Sequence, residues 1–267
     1  MRTPKVDLDA IRWPQSIRGI NSLDREVRDE IYLSLIPDAI FERFMVDPYN
    51  RELLRINGPH DTRSVEIVMR HRPDAHDPVF FLHMADTLNY QIAVLLLVIN
   101  DPDSPRFNVD VTPEGLPTRF GTISRNIPEE IRAMEAGLAP GQVRRGLRLS
   151  RQVIPVFERF IQRTGHDMVI IDPLTYNNAI VYERYGFAYF QGRRRMEWIN
   201  EALRPGGELF DRFDDSTPFR RRDNWRSIRG RSWAIHDGIL GEPFGDIRMY
   251  KRIGHHAGIN TFPDGEW

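Results

Sequence analysis

The residues best suited to do chemistry lie in LAPGQVRRGLRL, residues 138–149. Gly146 lets the backbone approach a ligand closely, and a helix starting just after it would present unpaired N–H groups and a positive dipole end. Arg144, Arg145 and Arg148 add charge-assisted donors that suit phosphate oxygens. This combination fits a pyrophosphate; it also fits an ordinary helix start with solvated arginines. Tyr182, by residue type and helical spacing alone, reads as a core tyrosine on an apolar helix face.

Other constellations are less specific. FRRRDNWRSIRGR, 219–231, holds six Arg against one Asp with Trp225 among them, a pattern that binds nucleic acid or a phosphate by charge and stacking. The alternative is a solvated stretch paired with the acidic FDRFDDS upstream. His236-Asp237-Gly238 suits a turn near a cleft. The histidines have no metal-ligand spacing, so no metal is expected, and without a Gly-x-Ser-x-Gly elbow a hydrolase triad has little support. The chain has no Cys, which excludes disulfides, thiol nucleophiles and cysteine-ligated clusters.

These residues need elements to hold them. Leu23, Val27, Ile31 and Leu35 have helical spacing and Pro37 ends that run, with more helix at 38–44. Alternation predicts strands at 64–70 and 79–84, and QIAVLLLVI at 91–99 reads as a central strand, apolar on both faces. FNVDV (107–111) and TRFGTIS (118–124) flank PEGLP as a hairpin. Leu149, Val153, Val156, Phe157, Phe160 and Ile161 share one helical face, with Pro155 inside and Gly165 as the stop. MVIID (168–172) is a short strand, 177–187 a helix stopped by Gly186, and 245–253 a strand. Residues 201–231 read as a long polar surface insertion. This is an α/β (α+β) order.

The stretch from about 90 to 190 resembles the GNAT superfamily of acyl-CoA-dependent N-acyltransferases. LAPGQVRRGLRL falls in register with that family's loop, where a strand leads through basic residues to Gly-x-Gly. The loop opens a long helix followed directly by MVIID. TYNNAIVYERYGF, 175–187, looks like the family's Asn/Ala/Tyr…Gly-Phe signature, with Tyr182 four residues before Gly186. The resemblance implies a mixed, mostly antiparallel central sheet flanked by helices, with an N-terminal helical extension and a C-terminal Arg-rich insertion. It implies acetyl-CoA or another acyl-CoA held by Leu138, Val143, Arg144, Arg145, Gly146, Leu147 and Arg148, with Thr175, Asn177 and Asn178 near the cofactor arm. An N-cap or turn role is the other reading of the last three. Tyr182 would protonate the departing thiolate. The matching base would come from a strand near EEIRAMEAGLAP, with Glu135 first and Glu130 behind it, although 129–136 also reads as a helix with both glutamates solvated. Two departures stand out: Arg148 replaces the family's usual second Gly, and Val143 replaces its Arg or Gln.

The expected organisation is an N-terminal helical extension (1–60), a GNAT-like core (61–200), an Arg-rich insertion (201–244) and a final strand and tail (245–267). The expected activity is acyl transfer, most simply acetyl transfer, to a small-molecule or peptide amine. The alternative is an inactive module of the same fold that binds an anion or nucleic acid through 219–231. The chain has 267 residues, is 40% hydrophobic and 28% charged, and carries a net charge of −1. That balance argues against a wholesale polyanion binder. The opening MRTPKVDLDAIRWP shows no signal peptide, and the apolar run at 92–99 is too short to span a bilayer. A cytoplasmic protein with no membrane partner is expected, as a monomer or a homodimer.

Overall fold

The computed structural model describes residues 5–118 and 124–267. It is a mixed α/β fold whose seven strands form one sheet in the order β1-β2-β3-β4-β5-β7-β6. The described residues include β1 (Leu54–Asn57), β2 (Ser64–Met69), β3 (Phe80–Asp86), β4 (Ile92–Ile99), β5 (Met168–Ile171), β6 (Ala188–Gln191) and β7 (Arg248–Arg252). The helices are α1 (Ile17–Asn21), α2 (Arg25–Leu33), α3 (Asp38–Phe44), α4 (Ile127–Glu135), α5 (Ser150–Arg163), α6 (Tyr176–Arg184), α7 (Arg193–Leu203) and α8 (Ile228–His236). β1 to β4 pair antiparallel in sequence order, and β4 pairs parallel with β5.

By its contacts the chain divides into two compact units that interleave in sequence. The first comprises 1–103, 146–171 and 250–255; the second comprises 104–145, 172–249 and 256–267.

In the first unit the β2–β3 register stacks Val65 on Met84, Ile67 on Leu82 and Met69 on Phe80. All six side chains are fully buried, as strict alternation along both strands requires. α1 packs on these two strands, and the Asp86 carboxylate accepts from the first N–H groups of α1 at 2.7 and 2.9 Å. That capping ties the helical N-terminal segment to the end of β3. α5 buries Val153, Val156, Phe157, Phe160 and Ile161, and Trp13 meets Phe160 edge to face at 5.7 Å. Pro155 lies inside α5 without ending it.

The second unit is built around α8, whose residues from Ile228 to Ile235 are nearly all buried. His236 is the last residue of α8, and Asp237 and Gly238 lie in the turn that follows it. One sequence expectation fails here. Residues 201–231 are not simply a polar surface insertion: Leu209, Phe213, Phe219, Ile228 and Arg231 are buried. The apolar residues there are spaced irregularly among charges, so no periodicity announces them. Phe219 stacks on Trp233 at 5.3 Å, in a cluster with Phe107, Val109, Ala133 and Leu138. Of the hairpin expected at 107–124, the described residues include a bridge between Val111 and Pro117 and the Thr118 N–H donating to the Asp110 carbonyl at 2.9 Å; 119–123 lie outside the described residues.

Candidate functional site

In the first unit, β4 changes character halfway along. Ile92, Ala93 and Val94 are buried, whereas Leu95 is 45% exposed and Leu96 to Ile99 are half-buried. The expectation of an apolar strand covered on both faces therefore holds only for its first half. The cause lies in the pairing. The register with β3 slips between His83 and Met84, which leaves Leu95 as an extra residue on β4. Such a bulge bends a strand and disrupts its ladder. The β5 ladder covers only Ala93 and Val94. From Leu96 to Ile99, β3 is the only ladder partner among the described residues. An isolated bridge then joins Asn100 to Gly146.

The strand beside the Gly146 loop is β4, through the Asn100–Gly146 bridge, and 134–139 form no strand. Residues 127–135 form α4, in keeping with the helix formers Glu, Ala and Met there. Gly146 is close to β4, and a Cβ at that position would lie 3.3 Å from the Ile99 carbonyl oxygen. Arg148 has φ of 58°, the left-handed conformation that favours glycine. The residue type departs from the family's second Gly, but the backbone adopts the geometry a Gly would take. Leu147 is buried and Arg148 exposed. α5 begins directly afterwards, with Leu149 at its N-cap, no side-chain capping bond and no acidic residue in its first turn. In that first turn the Gln152 N–H donates to the Leu149 carbonyl at 2.8 Å, and the dipole end of the helix favours an anion.

The remaining expected site residues belong to the second unit. Val143 accepts a backbone bond from Phe107 at 2.9 Å. Arg144 donates to the Ser104 carbonyl, and Arg145 donates to the Ala136 carbonyl at 2.9 Å. Both guanidinium groups are thus partly committed to holding the segment. Leu138 is buried and accepts from the Trp233 indole at 2.8 Å, which makes it a core residue.

Thr175 occupies the N-cap position of α6, yet its hydroxyl donates to Asn177 Oδ1 at 2.8 Å instead of capping. The same oxygen accepts from Ser232 at 2.9 Å, and Asn177 donates to Asn178 at 3.1 Å. These three residues do come together, as a polar link between α6 and α8. Tyr182 lies on α6 with its ring tilted against Phe187 at 5.2 Å. Burial pushes its hydroxyl up to about 12, so the phenol is fully protonated at neutral pH.

The two glutamates separate. Glu135 is 57% exposed at the end of α4, 3.9 Å from Arg221. Glu130 is buried: it accepts from Arg125 Nε at 2.8 Å, and its Oε1 lies 3.1 Å from His236 Nε2. Burial opposes its charge, but the His236 and Arg125 bonds outweigh that and hold the carboxyl below the usual range. Arg125 also reaches Asp237 at 2.8 Å, and Asp237 receives Arg220 at 2.9 Å. A carboxylate held charged in this way is a poor proton acceptor, so the cluster ties α4 to α8. Arg125 had no motif to announce it, and its partners lie 5 and 112 residues away.

Within the Arg-rich stretch, Arg220 is bound to Asp237 and Arg231 is 1% exposed. Arg222 and Arg226 each lie near a carboxylate, at 3.7 and 3.8 Å. A concavity of about 790 Å³ is lined by Ser216, Thr217, Arg221, Arg222, Asp223 and Asn224, among others. Among the described residues no group of three His, Cys, Asp or Glu is placed to hold a metal, and no helix is long and apolar enough to cross a membrane. Compared with family models, curated proteins and solved structures, the chain matches none.

Proposed function

We propose that the chain is an acyl-CoA-dependent N-acyltransferase of the GNAT kind, acting most simply on acetyl-CoA and a primary amine. One observation carries this: β4 keeps an edge free of β5 between the Val94–Ile171 register and the Asn100–Gly146 bridge. There, apolar side chains are half-exposed, and β3 is the only ladder partner among the described residues. An extended ligand with amides and methylenes, such as a pantetheine arm, suits such an edge, because it pairs like a strand and buries its apolar atoms. The Gly146–Arg148 loop and the uncapped start of α5 supply N–H donors, a close backbone approach and one exposed guanidinium for the pyrophosphate. The mixed α/β fold with a mostly antiparallel sheet is in keeping with the coarse fold class the resemblance implies.

Bound acyl-CoA supplies an activated thioester. The amine nitrogen attacks the carbonyl and the C–S bond breaks; the resemblance assigns to Tyr182 the donation of a phenolic proton to the leaving sulfur, a proton it regains from solvent. No side chain is assigned as base: Glu135 is exposed on a helix and Glu130 is bound to Arg125, so the amine gives up its proton to solvent. Calorimetric titration with coenzyme A and acetyl-CoA tests the reading. Micromolar binding, with a higher melting temperature at saturation, is expected. No heat and no thermal shift at millimolar ligand would sink it.

A second reading rests on the concavity beside Arg221 and Arg222: a module that binds an anion or nucleic acid. It requires nucleic-acid affinity that falls steeply with salt, without coenzyme A binding.

A further inference from the structure

The last twelve residues lie against α6 in the second unit at every point where that helix ends. The Ala257 N–H donates to the Gly186 carbonyl at 3.1 Å, and His256 Nε2 lies 3.2 Å from the Arg184 carbonyl. Gly186, at φ 81°, is so close to His256 that a Cβ there would lie 2.7–2.8 Å from its atoms. Two demands therefore meet at the glycine of YxxxG: a left-handed turn and room for the returning chain.

Glu183 is the second anchor. It is 1% exposed, and its carboxylate accepts from the Thr261 N–H at 2.9 Å, the Thr261 hydroxyl at 2.7 Å and the Tyr189 hydroxyl at 2.5 Å. Three donors and no cation make this a carboxylate satisfied by hydrogen bonds alone. Beyond it, Phe262 lies under the Arg231 guanidinium at 3.5 Å, and the Glu266 carbonyl accepts from the Ile228 N–H at 2.8 Å. The segment so bridges α6 and α8. Trp267 finishes it between Arg184 and Arg229, at 4.4 and 5.9 Å.

Glu183 and Tyr182 are successive residues of one helix, so fixing the direction of the first about the helix axis fixes that of the second. We propose that residues 256–267 are a positioning strap for the Tyr182 helix, anchored by Thr261 on Glu183. This rests on the acyltransferase reading. In that reaction Glu183 and Thr261 act through Tyr182 and do not touch the substrate.

The test compares the full-length wild type with Glu183→Gln, Thr261→Val and Thr261→Ser. For each, hydrogen exchange of the α6 amides and steady-state acyl transfer are measured. Thr261→Val removes one hydroxyl and keeps the backbone bond, so it remains informative if Glu183→Gln fails to fold. The expected result is faster exchange at 176–186 in Thr261→Val, with kcat down about tenfold, acyl-CoA KM within about twofold, and wild-type values in Thr261→Ser. Faster exchange with unchanged kcat overturns the proposal, because the strap would then be purely structural; so does unchanged exchange. If the wild type does not bind coenzyme A, the acyltransferase reading falls and the proposal with it. If the wild type binds and turns over, and the variants match it, this proposal falls alone.

Discussion

At the residue scale, the Tyr182 hydroxyl is set by burial, which raises its ionisation to about 12. An acid that keeps its proton to that pH imposes no alkaline limb in the ordinary working range. The acyl-transfer kcat is therefore expected to stay flat from pH 8 to 10, and Tyr182→Phe to lower it about 100-fold. A wild-type kcat that falls with an apparent pKa near 8 or 9 would assign the acid role to another group. Glu130 shows the opposite shift. Its folded carboxyl lies below the usual value, so the stability it contributes is complete above the unfolded Glu pKa of about 4.3 and is lost as pH falls through the lower, folded value. Glu130→Gln leaves Arg125 without one carboxylate and is expected to cost about 3 kcal/mol at pH 7. The gap to wild type should close as the pH drops below about 4. Urea denaturation at pH 7 and pH 3.5 measures both, and an unchanged gap would show that the Arg125–Glu130 pair is not what the substitution removes.

At the scale of elements, Arg148 joins the β4 edge to α5 in a backbone conformation that costs a non-glycine residue about 1 kcal/mol. Arg148→Gly relieves that strain and removes the only exposed guanidinium of the 146–148 turn. It is expected to change stability by less than about 1 kcal/mol, while weakening coenzyme A binding about tenfold, the scale of one charge-assisted bond. Unaltered affinity would show that backbone N–H groups alone hold the phosphates. The sequence already pointed to this element, since Gly146 and three arginines mark it by residue type. It could not show that Arg144 and Arg145 spend donors on the Ser104 and Ala136 carbonyls. Hydrogen bonds to distant backbone leave no trace in local spacing.

At the scale of the whole molecule, the first unit takes β5 and α5 from 146–171, far along the chain from its strands β1 to β4. A fragment ending at Asp103 lacks the β5 partner of β4 and the apolar face of α5, including Phe160, which is 1% exposed. Burying one such side chain is worth about 1.5–3 kcal/mol, comparable to a sizeable share of a domain's net stability. Residues 1–103 expressed alone are therefore expected to lack a cooperative thermal transition by circular dichroism; a sharp transition would refute that interdependence. The sequence by itself determined most regular elements, because the alternation in β2 and β3 and the helical spacing in α5 are local records of which side faces a core. It also marked the helix start after Gly146 and the helix stop at Gly186, since turn chemistry depends on residue type. Only the tertiary structure decided that β4 is freed from β5 past a bulge at Leu95 and that Glu130 meets His236. It alone showed that residues 256–267 return to hold Glu183. Each of these depends on partners remote in sequence, and pairing at a distance is a property of the folded chain that no window of residues contains.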